Sequence, residues 1–583
     1  MSLNNKWWPW AASALSGILL ALCFAPWELG SLVWVWSWPL LAALWYSLPE
    51  GLSLKQIVIR SFLLGYTSGV IFFSINSHWM YQIWKVVDFK IAGVGAVLGM
   101  GFYLGVYVAL FSVFAATVGK LKLPPLEKKQ PGSGKKPGFP MAFDLATGKD
   151  LFGQSLAVLK VAFLNGACWC GLEWVRSIAF TGYGWNSLGV ALKNHLMMIQ
   201  FADVIGQLGY GFVVMFCGVV GFATILRFAR EIHVYQSMRP HLDFSIAVAM
   251  VIALFLYGFS KVTESQPENT VDLDVRIMQM NTSINDKYNP DIKVRQQIIW
   301  DYRDLSRAFL DNDPCDLLVW PETALPTVFS WESTFTFLNE EILKGEDFYL
   351  LMGIEDNDVE RRLFNTITLM KGEAESFQMY SKIHLVPFGE FVPGRDWKIP
   401  VFDWIFGKVI TQDFERGTSY DNLILEKDGT KIGIMPLVCF EDTVARHARK
   451  FVRDSPQILV NVTNDAWFYD SAAPHQHFAT SLFRCIELRR PMIRAANTGV
   501  SGFIDERGSI YDRNSKEKFP RIIQDEATGD TYIRGSLPGI VKVDLNPPMS
   551  IYARIGDAFS IVMGLIALAF FAWWVVRERK AKR

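Results

Sequence analysis

Three short stretches of the chain end an apolar run on a reactive side chain. Glu322 closes "LLVWPETALP", Cys439 closes "IMPLVCFED", and Lys382 lies in "MYSKIHLVPFGEFVP" with Glu390 behind it. A strand that stops at such a residue presents it at the rim of a sheet, where a nucleophile is useful. A free thiol is only a few per cent thiolate near neutral pH, so Cys439 needs a base or a cation beside it. Neither Glu322 nor Lys382 is adjacent to it in sequence, so the fold has to bring them together.

The elements that would do so are short β-rich runs: "DVRIMQMN", "CDLLVWPE", "FYLLMGIE", "NTITLMK", "IGIMPLVCF", "QILVNVTND", "PMIRAANTG", "SGFIDERG" and "GIVKVDL". Between several of them lie stretches of helical period such as "IKVRQQIIWDYRDLSRAFL". Strands alternating with amphipathic helices point to a layered α/β domain, here expected over residues 261–550.

Around that domain the composition changes. Half of the chain is apolar (51%) and it holds 21 tryptophans, which favours a membrane over a soluble setting. Seven apolar runs precede the domain, near Trp8–Cys23, Leu32–Leu48, Ile57–Ile75, Ile91–Val118, Leu156–Val175, Phe201–Leu226 and Phe244–Phe259. An eighth follows it, near Phe559–Val576. Each is roughly long enough to span hydrocarbon at about 20 residues per helix. The expected division is therefore a seven-span region over 1–260, the α/β domain, and a last span with a basic tail over 551–583.

Short loops of one parity carry the positive charge. Lys120, Lys122, Lys128, Lys129, Lys135, Lys136 and Lys149 lie in the loop 120–150, Arg227, Arg230 and Arg239 after the sixth run, and "RERKAKR" at the end. Lys and Arg are retained in the cytoplasm, so both termini are expected there and the α/β domain outside. "MSLNNKWW" leads without a small-residue cleavage site into an uncleaved first span. The Lys-rich loop reads as a topology signal and solvated linker rather than a lipid-binding patch. Basic and acidic residues balance at 57 each, so no global field selects nucleic acid as partner. Of the seven cysteines, Cys315, Cys439 and Cys485 fall in the domain, an odd number that leaves a thiol unpaired.

The ordered set "VWPETALP", "SKIHLVPFGEFVP", "CFED", "NVTNDAWF" and "RAANTGVSGFID" resembles the nitrilase superfamily of carbon-nitrogen hydrolases. With seven spans before the domain and one after, it is similar to the apolipoprotein N-acyltransferases, the membrane-embedded branch. The resemblance implies an eight-span α-helical bundle carrying an αββα sandwich, with Glu322 as general base, Lys382 as oxyanion-stabilising cation and Cys439 as nucleophile. Glu390, Glu441 and the backbone N–H of Phe440 would support them, and Tyr288, in a loop over the lipid entrance, would bind substrate.

The same resemblance implies a phospholipid acyl donor, mainly phosphatidylethanolamine, and a diacylglyceryl-modified apolipoprotein acceptor in a bacterial inner membrane facing the periplasm. It implies no cofactor, and a monomer is expected. Phe440 stands where that family has Tyr, and Tyr288 where Trp is common. Competing readings are a membrane-tethered amidase, which would send water to the thioester, and a non-enzymatic lipid-binding scaffold.

Other residues invite plainer explanations. His475 and His477 in "HQH" alternate as on a strand, but no third ligand accompanies them, so packing is expected and no metal. Arg489, Arg494 and Asn497 read as a helix end, a buried ion pair and a turn. Trp79, Tyr81 and Trp84 read as interfacial anchors beside a span, and Glu173 with Arg176 as a pair.

Overall fold

The computed structural model describes residues 6–49, 51–87, 89–122, 145–235, 241–310, 314–372, 377–395, 412–512 and 519–581. Most of the Lys-rich loop 120–150 lies outside the described residues. Among them, six helices are long and apolar enough to cross a membrane: Leu54–Asn76, Lys90–Ala116, Phe152–Ile178, Ala202–Ile232, Leu242–Thr263 and Ala558–Lys580.

The first two expected runs are shorter. One forms the 14-residue helix Trp8–Ala21, about 21 Å long at 1.5 Å per residue. The other divides into a 3-10 turn, Gly30–Trp34, and the nine-residue helix Trp38–Tyr46. Pro39 occupies the first turn of that helix, where its missing N–H does no harm but prevents a longer helix from running through.

Two of the long helices touch backbone to backbone. A Cβ on Gly171 would lie 2.4 Å from the Cα of Gly564, so the last helix docks on Leu145–Ile178 through a glycine pair. In lipid, packing of this kind holds helices together because no hydrophobic force separates them from the acyl chains.

Among the described residues, eleven strands build the globular part: β1 Thr270–Gln279, β2 Leu317–Trp320, β3 Tyr349–Asn357, β4 Leu363–Lys371, β5 Phe377–Ser381, β6 Leu423–Lys427, β7 Thr430–Val438, β8 Gln457–Thr463, β9 Met492–Ala496, β10 Gly502–Ile504 and β11 Gly535–Asp544. They form two sheets, β11-β1-β2-β3-β4-β5 and β10-β9-β8-β7-β6. Nine of them coincide with the expected runs, β5 ends where the strand before Lys382 was expected, and β6 was not expected.

Direction fixes where the reactive side chains emerge. β2 and β3 are parallel, and two antiparallel steps through β4 return β5 to the direction of β3. The carboxyl ends of β2 and β5 therefore share one rim, and Glu322 and Lys382 leave from it. In the second sheet β7, β8 and β9 are mutually parallel, and Cys439 follows β7.

Alternation along the strands divides the core in two. Leu317 and Val319 of β2 join Leu437, Leu459 and Met492 of the second sheet in one apolar core. Leu318 and Trp320 point the other way, into a core with Ile298 and Tyr302 of the helix Ile292–Leu310.

The helix Ala473–Leu488 joins the two halves of the molecule, and each of its residues except the half-buried His475 is buried. Phe478, Leu482 and Leu488 pack with the sheets, whereas Ala479, Phe483 and Ile486 pack with the membrane helices. Polar bonds fix the join. Gln476 donates to the carbonyls of Ala25 and Asn76 at 2.9 and 3.1 Å, and the N–H of Gln207 donates to Glu487 at 2.7 Å.

Gly171→Val should separate the last helix from its neighbour. Overpacking of this kind costs about 1–3 kcal/mol, so the melting temperature of the detergent-solubilised protein should fall; an unchanged value would contradict the contact.

Candidate active site

Glu322 sits on a turn that only a bare backbone can accommodate. A Cβ on Gly353 of β3 would lie 2.5 Å from the Cα of Glu322, and the N–H of Ala324 donates to the Gly353 carbonyl at 2.8 Å. Thr323 takes a φ of 43°, a left-handed conformation unfavourable for a β-branched residue. Glu322 is 7% exposed.

Lys382, 1% exposed, follows β5, and its N–H donates to the Asn365 carbonyl at 2.8 Å. Its ammonium lies 2.8 Å from Glu390 Oε1 and 3.8 Å from Glu322 Oε1. Asn365 ties both carboxylates together, donating through Nδ2 to Glu322 at 2.8 Å and to Glu390 at 2.9 Å. Glu390 also accepts the N–H of Val386 at 2.8 Å. Asn365 was not anticipated; the only signal was a lone amide in the apolar strand "LFNTITLMK".

Cys439 begins the turn Cys439–Thr443 with a φ of 51°. A non-glycine residue held in this region marks a backbone that its surroundings over-determine. Two sets of contacts do this. Asn461 donates to the carbonyl of Cys439 at 3.1 Å and accepts from Arg494 at 2.8 Å. Arg494 pairs in turn with Asp442.

Glu441 supplies the other set. Its Oε1 accepts the N–H groups of Ile383 and His384 at 2.8 and 2.9 Å, and its Oε2 accepts that of Val438 at 2.8 Å. Tyr380 donates its hydroxyl to the same carboxylate at 2.8 Å. One buried carboxylate thereby fastens the chain after Lys382 to the chain around Cys439.

The electrostatics follow from burial and neighbours. Burial pushes the Cys439 thiol well above its ordinary range, Glu322 adds to the rise, and Lys382 only partly opposes it. Burial also raises Glu322, against the pull of Lys382. Burial disfavours the charge on Lys382, yet Glu390, Cys439 and Glu322 together hold the ammonium above its ordinary value. Burial and these neighbours thus favour the neutral thiol of Cys439 and the charged lysine, and shift Glu322 towards holding a proton.

The side facing the membrane helices is aromatic. The Phe440 ring stacks on Trp185 at 6.4 Å and on His384 at 5.8 Å, and Trp185 stacks on His477 at 5.3 Å. Trp185 is held by the expected pair: Arg176 donates to its carbonyl at 2.8 Å and lies 3.9 Å from Glu173. Trp79, expected as an interfacial anchor, is buried instead, with ring centroids 5.4 Å from Trp185 and 4.7 Å from Phe468. Its hydrogen-bond partner Gln476 explains why the globular domain covers it.

His475 and His477 lie on a helix, not a strand, where residues two apart do not share a face. His477 bridges Asp442 at 2.8 Å and Asp465 at 3.0 Å; despite burial, those carboxylates raise it to about 9. Arg489 pairs with Asp203 at 2.7 Å, and Asn497 donates to the Thr282 carbonyl at 2.8 Å. All seven cysteines are free thiols. Tyr288 is 55% exposed, its ring centroid 6.3 Å from that of Trp467.

Known proteins share this outline. A family profile described as the apolipoprotein N-acyltransferase N-terminal domain matches residues 16–220, and one described as carbon-nitrogen hydrolase matches residues 275–523. An apolipoprotein N-acyltransferase of Geobacter metallireducens is 29% identical over 574 residues, covering 96% of this chain and 94% of the relative. One of Photobacterium profundum is 26% identical, with 85% of this chain and 84% of the relative covered. Among solved structures, an amidase of the nitrilase superfamily from Nesterenkonia AN1 covers 50% of this chain and 97% of its own, at 14% identity and a TM-score of 0.32.

Despite burial, His447, Lys382 and the His384 N–H hold Glu441 down at about 2 instead of 4.5. A carboxyl lowered on folding contributes stability that is complete above about pH 4.5 and lost as pH falls towards about 2. Glu441→Gln should lower unfolding stability at neutral pH by about 3 kcal/mol and flatten its acid dependence in that window. Denaturant titration across pH checks both; an unchanged profile would show that Glu441 does not hold the turn.

Proposed function

The chain belongs to the apolipoprotein N-acyltransferase family, and we propose that it moves a fatty acyl chain from phosphatidylethanolamine, through a thioester on Cys439, to an apolipoprotein. The acceptor is the α-amino group of the N-terminal diacylglyceryl-cysteine. The observation that carries this reading is the convergence of Glu322, Lys382 and Cys439 at strand ends, beside the stacked rings of Phe440 and of Trp185 from the loop that follows the helix Leu145–Ile178.

In the first step the Cys439 sulfur attacks the ester carbonyl carbon while its proton passes to Glu322. A thiol pushed well up by burial needs that base, because little thiolate is present beforehand. Lys382 and the N–H of Phe440 face the oxyanion. A preorganised donor of this kind contributes about 3 kcal/mol, and the Phe at 440 leaves that backbone donor intact. The carbon–oxygen bond then breaks and lysophospholipid leaves with the proton from Glu322.

In the second step the acceptor amine attacks the thioester carbon and gives its proton to Glu322. The carbon–sulfur bond breaks, and the proton returns to sulfur. Glu390 and Asn365 keep Lys382 and Glu322 in register throughout. Tyr288, exposed above Trp467, offers an apolar surface to an incoming chain.

The membrane setting completes the reading. Residues 1–260 form the spanning region, 261–550 an αββα sandwich and 551–583 the last span. The two short helices, Trp8–Ala21 and Trp38–Tyr46, bring the crossings to eight with their flanking turns. Both termini then lie in the cytoplasm of a bacterial inner membrane and the sandwich in the periplasm, at the level of its lipid substrates. The chain works as a monomer without nucleic acid, metal or cofactor.

The test is to supply labelled phosphatidylethanolamine with a diacylglyceryl-cysteine peptide and follow lysophospholipid and acylated peptide together. Both should appear with wild-type protein and neither with Cys439→Ser. Glu322→Gln should lower kcat/KM about 10²–10⁴-fold. The acid limb of kcat/KM should lie above the ordinary carboxylate range, since Glu322 must be ionised and burial raises it. Acylated peptide formed at the wild-type rate by Cys439→Ser would contradict the assignment.

A further inference from the structure

Lys287 is a buried cation that the two-step transfer leaves without a task. It closes the short helical turn Ile284–Lys287 and is 6% exposed. Its ammonium donates to both the main-chain oxygen and Oγ1 of Thr323. Thr323 directly follows Glu322 and holds the left-handed φ of 43°. A β-branched residue does not adopt that conformation unaided. Both acceptors belong to Thr323, so one ammonium can hold them together only while the turn keeps this shape.

Burial lowers the Lys287 ammonium to about 8, against the attraction of Glu355 of β3 and of Glu322, so it keeps its charge across the acid limb. Glu322 faces Lys382 and Glu390 on its other side, with Cys439 beyond. Glu322 therefore sits between two lysines, one paired with Glu390 and one bound to the turn that carries Glu322 itself. The residue after Lys287 is Tyr288, so the segment over the site and the base share one anchor.

Resting on the thioester reading above, we infer that Lys287 is a positioning residue that locks the Thr323 turn, aims Glu322 at Cys439 and supplies the second positive charge beside that carboxylate. It touches neither substrate nor the reacting atoms. Its loss misplaces the base and removes a charge that favours the ionised form.

The experiment follows alkylation of Cys439 by iodoacetamide in the full-length, detergent-solubilised protein from acid to alkaline pH, with the modified peptide identified by mass. This reaction needs the thiol and its base but no lipid: a carbon–sulfur bond forms, iodide leaves and the thiol proton passes to Glu322. Lys287→Met should slow alkylation about 10²-fold and move its acid limb up by about one pH unit. Adding Thr323→Gly, which takes a positive φ at no steric cost, should recover much of the rate but not the limb. Lys287→Arg should keep the limb in place while slowing the reaction.

Wild-type rate and limb in folded Lys287→Met would overturn the inference. So would a slowed reaction whose limb stays put and which Thr323→Gly does not rescue, because a merely structural role gives that result. If Lys287→Met does not fold by thermal melt, Lys287→Arg at the wild-type rate overturns it instead. A wild-type protein that shows the expected alkylation profile yet releases no lysophospholipid would sink the acyl-transfer reading and leave the role of Lys287 standing.

Discussion

The site depends on one buried carboxylate that touches none of the reacting atoms. Glu441 accepts backbone N–H groups from Ile383 and His384 on one segment and from Val438 on another. Those segments carry Lys382 and Cys439, and they come from different sheets. An unpaired carboxylate in such a place would be costly, and leaving the three N–H groups unbonded would also be costly. The two penalties cancel only when the Lys382 loop and the Cys439 turn lie where they do. Residual mismatch appears as local strain, in the positive φ of Cys439 and Thr323.

A second constraint sets this site against the membrane helices. The helix Ala473–Leu488 is buried at every residue except the half-buried His475, so its apolar side chains must be covered and its buried Gln476, His477, Arg484 and Glu487 must find polar partners. Here the sheets enclose one side and the long helices the other. Its His477 lies between Asp442 and Asp465, behind Cys439, and beneath Trp185. The junction of the two halves and the wall of the site are thus the same piece of structure. On the proposed reading, that arrangement would hold Cys439 against the membrane-spanning half without a separate docking device.

Much of this was legible because the information was local. Apolar runs ending in Glu, Lys and Cys marked the strand ends, and long apolar runs marked six of the helices. β6 was legible too but was passed over: Asp428 and Gly429, both at positive φ, join it to β7 as a two-residue hairpin turn. What escaped was set by contacts distant in sequence. Nothing around Asn365 shows that it will bridge two carboxylates. "HQH" alternates like a strand, and only tertiary burial made it helical. Trp79 has the composition of an interfacial anchor, and its true partners are hundreds of positions away at Gln476 and Phe468. The first two apolar runs form shorter helices than their composition suggested, the second because Pro39 can stand only in a helix's first turn.

The central claim is that Cys439, served by Glu322 and Lys382, carries the acyl group between two lipid substrates. Its most direct test is the intact mass of the purified protein after incubation with phosphatidylethanolamine and no acceptor. The account predicts one added fatty acyl mass on Cys439, released by mild hydroxylamine as a thioester would be. A folded protein that stays unmodified in the presence of the lipid would contradict it.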